Sequence, residues 1–156
     1  MLFSLSLIIL IITEIVTNIK RPFSDVKKAF VDKEGKLFKV LIPFGCELLH
    51  YKGLRRGAII KIMIFGRVVT FKVATYSTSN KKLYFNDILH RGKFYGIKFW
   101  SHRHTITNEG ETTKIKDTLT FTTKNKLLDA IYNVLLRITF FFRAIKYKMF
   151  FYDFRR

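Results

Sequence analysis

Three residues in the second half of the chain carry side chains that could do chemistry together. His102 and His104 sit in the run Trp100-Ser101-His102-Arg103-His104-Thr105-Ile106, whose alternation is that of a strand, so Trp100 and both imidazoles project from one face. A second alternating run, Ile115-Lys116-Asp117-Thr118-Leu119-Thr120-Phe121, follows the turn sequence Asn108-Glu109-Gly110-Glu111. Folding the two runs about that turn pairs residues whose numbers sum to about 219, which sets His102 opposite Asp117 and His104 opposite Ile115. A histidine held by an aspartate is half of a general acid–base apparatus, the carboxylate fixing the imidazole tautomer. Catalysis would also need a nucleophile or an electrophile stabiliser, and none is evident, so His102, Asp117 and His104 are catalytic candidates only. The same histidines with Asp117 or Asp87 offer two nitrogens and a carboxylate oxygen to a metal ion. No fourth ligand stands out, and the expectation is that neither a metal nor a cofactor is held. The plainest expectation is a buried, hydrogen-bonded pair at a junction of sheet and helix.

The elements that must position these groups are legible from period and punctuation. Strands are predicted at Glu47 to Tyr51, Ala58 to Phe65, Val68 to Tyr76 and Leu83 to His90, then at Lys98 to Thr107 and Thr112 to Thr122. Ser24 is placed as the N-cap of a short helix ending near Gly35, and a second short helix covers Lys36 to Leu41. From residue 126 to 150 the period changes to threes and fours. Leu127, Leu128, Ile131, Val134, Leu135, Ile138, Phe141, Phe142, Ile145 and Met149 form the stripe expected to face the sheet, on a helix about 37 Å long. Leu136, Phe140 and Tyr147 fall outside that stripe, which leaves room for a dimer contact or a lipid-facing surface. No Gly-rich phosphate loop, Cys-x-x-Cys, Gly-x-Ser-x-Gly or His-Glu-x-x-His occurs.

Taken in order, these motifs resemble the START/SRPBCC helix-grip superfamily, and most of all its small bacterial ligand-binding proteins of unassigned function. The resemblance rests on Trp100-Ser-His-Arg-His-Thr-Ile106, a short glycine-containing turn, Ile115-Lys-Asp-Thr-Leu-Thr-Phe121 and the long C-terminal amphipathic helix. Earlier it is carried by Thr13 to Pro22, Val26 and Phe30, Leu41-Ile-Pro43, Leu48-Leu49-His-Tyr51-Lys-Gly53, Arg56-Gly57 and Phe85-Asn-Asp87. It implies an α+β domain in which a curved antiparallel sheet of six or seven strands wraps a long C-terminal helix, with two short helices after the first strand. It also implies a cavity between sheet and helix for an apolar small molecule or lipid. The lining expected there is Trp100, His102, His104, Asp117, Leu119, Phe85, Asp87, Leu135, Ile138 and Phe142. A binding protein rather than an enzyme is the leading reading, with a cyclase or dehydratase using His102 and Asp117 as the alternative.

Composition bounds the rest. At 156 residues and 49% hydrophobic content the chain suits one packed domain, drawn as residues 11–156 after an apolar extension over residues 1–10. The lone Cys46 rules out an internal disulfide, and a reducing, cytoplasmic setting is the default. Twenty-nine Lys and Arg against eleven Asp and Glu give +18, a field that would draw anionic membrane or, as the lesser partner, nucleic acid. Residues 2–13 are nearly all apolar; they are too short a run to span a bilayer and are read as an extended first strand or an over-long start to the reading frame, with a membrane anchor as the alternative. A homodimer through the helix is a further option.

Overall fold

The computed structural model describes residues 10–92 and 95–153. Seven strands, β1 (Ile11–Ile19), β2 (Cys46–His50), β3 (Ile59–Ile64), β4 (Arg67–Thr78), β5 (Lys82–Arg91), β6 (Ile97–Asn108) and β7 (Thr113–Thr123), form one antiparallel sheet in the order β1-β7-β6-β5-β4-β3-β2. Two short helices, α1 (Phe23–Val31) and α2 (Lys36–Leu41), fill the long connection between β1 and β2, and α3 (Lys126–Asp153) closes the chain. This is the helix-grip arrangement. The apolar extension assigned to residues 1–10 falls, apart from Leu10, outside the described residues.

Alternation builds the sheet. In β7 every second residue is buried from Thr113 through Ile115, Asp117, Leu119 and Phe121 to Thr123, because one face is covered and the other is wet. In β6 Trp100, His102, His104 and Ile106 are buried in the same way. Strands β3 and β4 meet across the two-residue loop Phe65-Gly66, with φ of 44° and 77°, the paired left-handed geometry of a tight hairpin turn. α1 and α2 contribute Val26, Phe30 and Leu37, all fully buried, to the same covered face. Ser24 does not cap α1: Pro22 precedes the first turn, and the Ser24 hydroxyl bonds Asp25 instead. At the start of α3 the Leu128 N–H donates to Asn125 Oδ1 at 2.9 Å, an N-cap that ends β7 and launches the helix.

The pairing of β6 with β7 corrects the expected register. Asn108 pairs with Thr113, His104 with Asp117 and His102 with Leu119, so facing residues are offset by two from the expectation. The cause is the turn, which takes up Glu109 to Thr112, with the Gly110 N–H donating to Asn108 Oδ1. An offset of two leaves every side chain on its expected face.

The rotation of α3 is the larger correction. Leu136, Phe140, Tyr147 and Phe151 are the buried apolar residues of the helix, whereas Leu135, Ile138 and Phe142, expected to line the interior, are more than half exposed. Helical spacing places both sets on stripes of comparable apolarity. The polar residues between them decide which stripe turns in, because the inward stripe also carries Arg143, and Asp117 on the sheet requires it.

Candidate functional site

Adjacent strands bring four ionisable groups together at the middle of the covered face. Asp87 on β5 pairs with His102 on β6, and His104 pairs with Asp117 on β7, so the two imidazoles stand between two carboxylates. Their ring centroids are 3.9 Å apart. His104 Nε2 lies 3.2 Å from Asp87 Oδ2 and its Nδ1 lies 2.6 Å from Asp117 Oδ1, bridging the acids. The short contact to Asp117 is an ion pair rather than a well-aligned hydrogen bond. α3 supplies the balancing cation: Arg143 Nε donates to Asp117 Oδ2 at 3.3 Å, and the guanidinium also donates to the Tyr147 hydroxyl one turn on, at 3.2 Å.

Burial and charge push these groups in different directions. Burial works to raise the Asp117 carboxyl, but the Arg143 and His104 charges outweigh it and hold Asp117 well below the usual carboxylate range. Asp87 is likewise lowered: burial opposes the shift, and the hydrogen bond to His104 overcomes it. His104 loses solvation too, yet the Asp117 charge, the short contact with that carboxylate and the hydrogen bond to Asp87 raise it above the ordinary 6.5. His102 goes the other way. Burial and the neighbouring His104 charge lower it to about 4, against weaker support from Asp117 and Asp87. The cluster therefore sets two carboxylates against Arg143 and a His104 whose protonated form they favour, and His102 is the neutral member. Its Nε2 is buried 3.5 Å from Asp117 Oδ1, a contact too long and too poorly aligned to be a strong hydrogen bond.

Aromatic rings wall the cluster. Phe85 stacks on His104 at 4.1 Å, Phe140 of α3 lies 5.1 Å from the His102 ring, and Phe30 of α1 contacts both His104 and Tyr147. Trp100 is 9% exposed beside His102, and Leu119 is fully buried opposite it. Of the residues expected to line a ligand space, Phe85, Asp87, Trp100, His102, His104, Asp117 and Leu119 share this interior. Leu135, Ile138 and Phe142 do not; they lie on the far side of the helix, and Leu136, Phe140, Arg143 and Tyr147 take their place. Sequence reasoning missed Arg143 and Tyr147, although the i, i+4 pair of a cation and a phenol on the stripe of Leu136 and Phe140 was the available signal.

Two concavities of about 310 and 300 Å³ lie elsewhere, one lined by residues such as Phe23, Lys27 and Asn108, the other by Arg56, Lys72 and Ile88. For a cation, Asp87, His102 and His104 offer one donor atom each within 4.8 Å of one another. A metal there would compete with the proton that the two carboxylates favour on His104.

No family model matches the chain, and no curated protein matches it. Solved structures do. Protein Ms6760 from Mycobacterium smegmatis superposes with a TM-score of 0.66 at 12% identity, over 91% of each chain. Norcoclaurine synthase from Thalictrum flavum, in complex with dopamine and hydroxybenzaldehyde, gives 0.62 at 11% identity, over 87% of this chain and 84% of that one. Ara h 8.0201 gives 0.56 at 19% identity, over 88% and 95%. A START superfamily protein from Mycobacterium smegmatis gives 0.56 at 15%, over 86% and 94%. With the order of its seven strands and the long closing helix, the chain has the helix-grip fold of START/SRPBCC proteins.

Proposed function

We propose that this chain binds a small, largely apolar molecule between the sheet and α3, with one hydroxyl or carbonyl of that molecule meeting His102. The observation that carries the reading is the His102 Nε2 atom, buried and neutral at physiological pH, with only a long, poorly aligned contact of 3.5 Å to Asp117 Oδ1. A buried polar atom left unpaired costs ~1–3 kcal/mol, and a ligand's polar group would recover it. The aromatic wall of Phe85, Trp100 and Phe140 supplies the apolar surface such a molecule needs. Phe140 and Tyr147 of α3 are buried against this wall, so the ligand would pack beside them. Norcoclaurine synthase, which shares the fold, is a protein whose structure holds two small aromatic molecules, and this agrees with the size class.

Organic extraction of the purified chain followed by mass spectrometry tests the reading. A stoichiometric apolar compound bearing a hydroxyl or carbonyl is expected. An extract empty of such a compound, together with no saturable uptake of a dansyl-labelled fatty acid, contradicts it. One observation favours a second, catalytic reading of the cyclase or dehydratase kind: the pKa values of His102 and His104 are driven apart, as in an acid–base pair.

A further inference from the structure

The outer face of α3 has no role in that reading. From Leu127 to Tyr152 ten large apolar side chains, each between 39% and 72% exposed, recur on one side of the helix over about 38 Å. At 100° per residue they fall in a sector about 120° wide. Between Asp129 and Asp153 the helix has no acidic residue, and Asp129 turns inward to accept the Thr123 N–H at 2.7 Å. The exposed Arg137 and Lys148 sit together on one shoulder of the stripe. A surface of this size is far beyond the scattered apolar residues normal for a protein exterior.

Two neighbours extend it. Lys146 Nζ donates to the Ile42 carbonyl at 2.6 Å, which ties the α2–β2 loop to the C-terminal half of α3, and Phe44 in that loop is 97% exposed. At the other end, Thr13 of β1 bonds Asn133 of α3, so the exposed Leu10 and Ile12 at the start of β1 lie toward the N-terminal half of the same helix.

We propose that this outer face is a docking surface for an anionic lipid bilayer, on which α3 lies in the interfacial plane. Charge selects the occupant. A second copy would bring +18 against +18 and set Arg137 and Lys148 near their own kind, whereas lipid phosphates would neutralise them. The helix lies on the bilayer rather than crossing it: its other face holds the Arg143–Asp117 pair, and among the described residues no helix is long and apolar enough to span.

The test is co-sedimentation of the full chain with vesicles of phosphatidylglycerol and phosphatidylcholine, and with phosphatidylcholine alone. Binding to the mixed vesicles is expected, at least tenfold tighter than to the neutral ones and weakening steeply with salt. The Ile138→Glu, Phe142→Glu double variant should lose at least tenfold in affinity while its circular dichroism and Trp100 emission stay as in the wild type. If that variant is misfolded, Arg137→Gln with Lys148→Gln serves instead, and should lower affinity for the anionic vesicles alone. Binding undiminished by either pair would place the contact off this face and overturn the proposal. So would wild-type protein that ignores vesicles and runs as a dimer that the glutamates dissociate.

Discussion

The inner and outer faces of α3 distribute polarity in the reverse of the usual order. The inner face carries Arg143 and the Tyr147 hydroxyl among Leu136, Phe140 and Phe151; the outer face, from Leu127 to Tyr152, is almost uninterrupted hydrocarbon and aromatic ring. Apolar content therefore does not decide which side of this helix packs. Asp117 does, because a carboxylate 1% exposed in the sheet must meet a cation, and Arg143 is on only one side. The outer stripe is then free to meet something other than the protein's own core.

Breaking the inner pair should have the largest effect. Arg143→Leu leaves Asp117 charged and buried with only the imidazoles to answer it, and a loss of ~3–5 kcal/mol is expected in urea unfolding. Double replacement with Asp117→Leu should recover much of that loss, since removing both charges also removes the burial penalty; a loss equal to the sum of the single ones would mean the two groups do not act as a pair. Next in size is the contrast between the faces themselves. Leu136→Ala on the inner face should cost ~2–3 kcal/mol, and Phe142→Ala on the outer face should stay within about 0.5 kcal/mol. Equal losses would show that α3 is rotated differently from the orientation described.

A smaller effect is expected from pH, and its sign differs between the two histidines. The folded pKa of His102, about 4, is below its ordinary 6.5, so its contribution is full above pH 6.5 and is lost as pH falls toward 4, by at most ~3 kcal/mol. His104 is raised, so its contribution is full below 6.5 and is lost as pH rises through its folded value. Urea unfolding followed across pH 4 to 9 should show a maximum between the two losses. The charged groups facing the pair are Asp87, Asp117 and Arg143, and of these the carboxylates titrate lower still. A profile flat from pH 4 to 6.5 would mean that His102 is hydrated.

Much of this was legible in the sequence, and what was not has a physical cause. Period-two alternation located every strand from β2 to β7 to within about two residues, because each strand has one covered face. The convergence of His102, His104 and Asp117 on that face follows from the same parity and survives the register error. That error came from assigning Thr112 to a strand when the turn takes it up. The rotation of α3 was not legible from hydrophobic spacing, because both stripes are apolar and the larger one points outward. Reading Arg143 as the partner of a buried aspartate would have corrected it, but that step needs the sheet already in place. For the same reason Leu135, Ile138 and Phe142 were drawn into the interior.

The central claim is that His102 serves a ligand and not the fold, and the variant His102→Phe separates the two. The single tryptophan, Trp100, lies beside it on the inner wall and reports uptake of a dansyl-labelled fatty acid by energy transfer. Because His102 is neutral and its Nε2 has only a long contact with Asp117, phenylalanine should leave unfolding stability unchanged or slightly higher. Probe affinity should fall about tenfold, the equivalent of one hydrogen bond at ~1.4 kcal/mol. A variant that loses stability by a comparable amount yet takes up the probe as the wild type does would contradict the account, and would make His102 a structural residue.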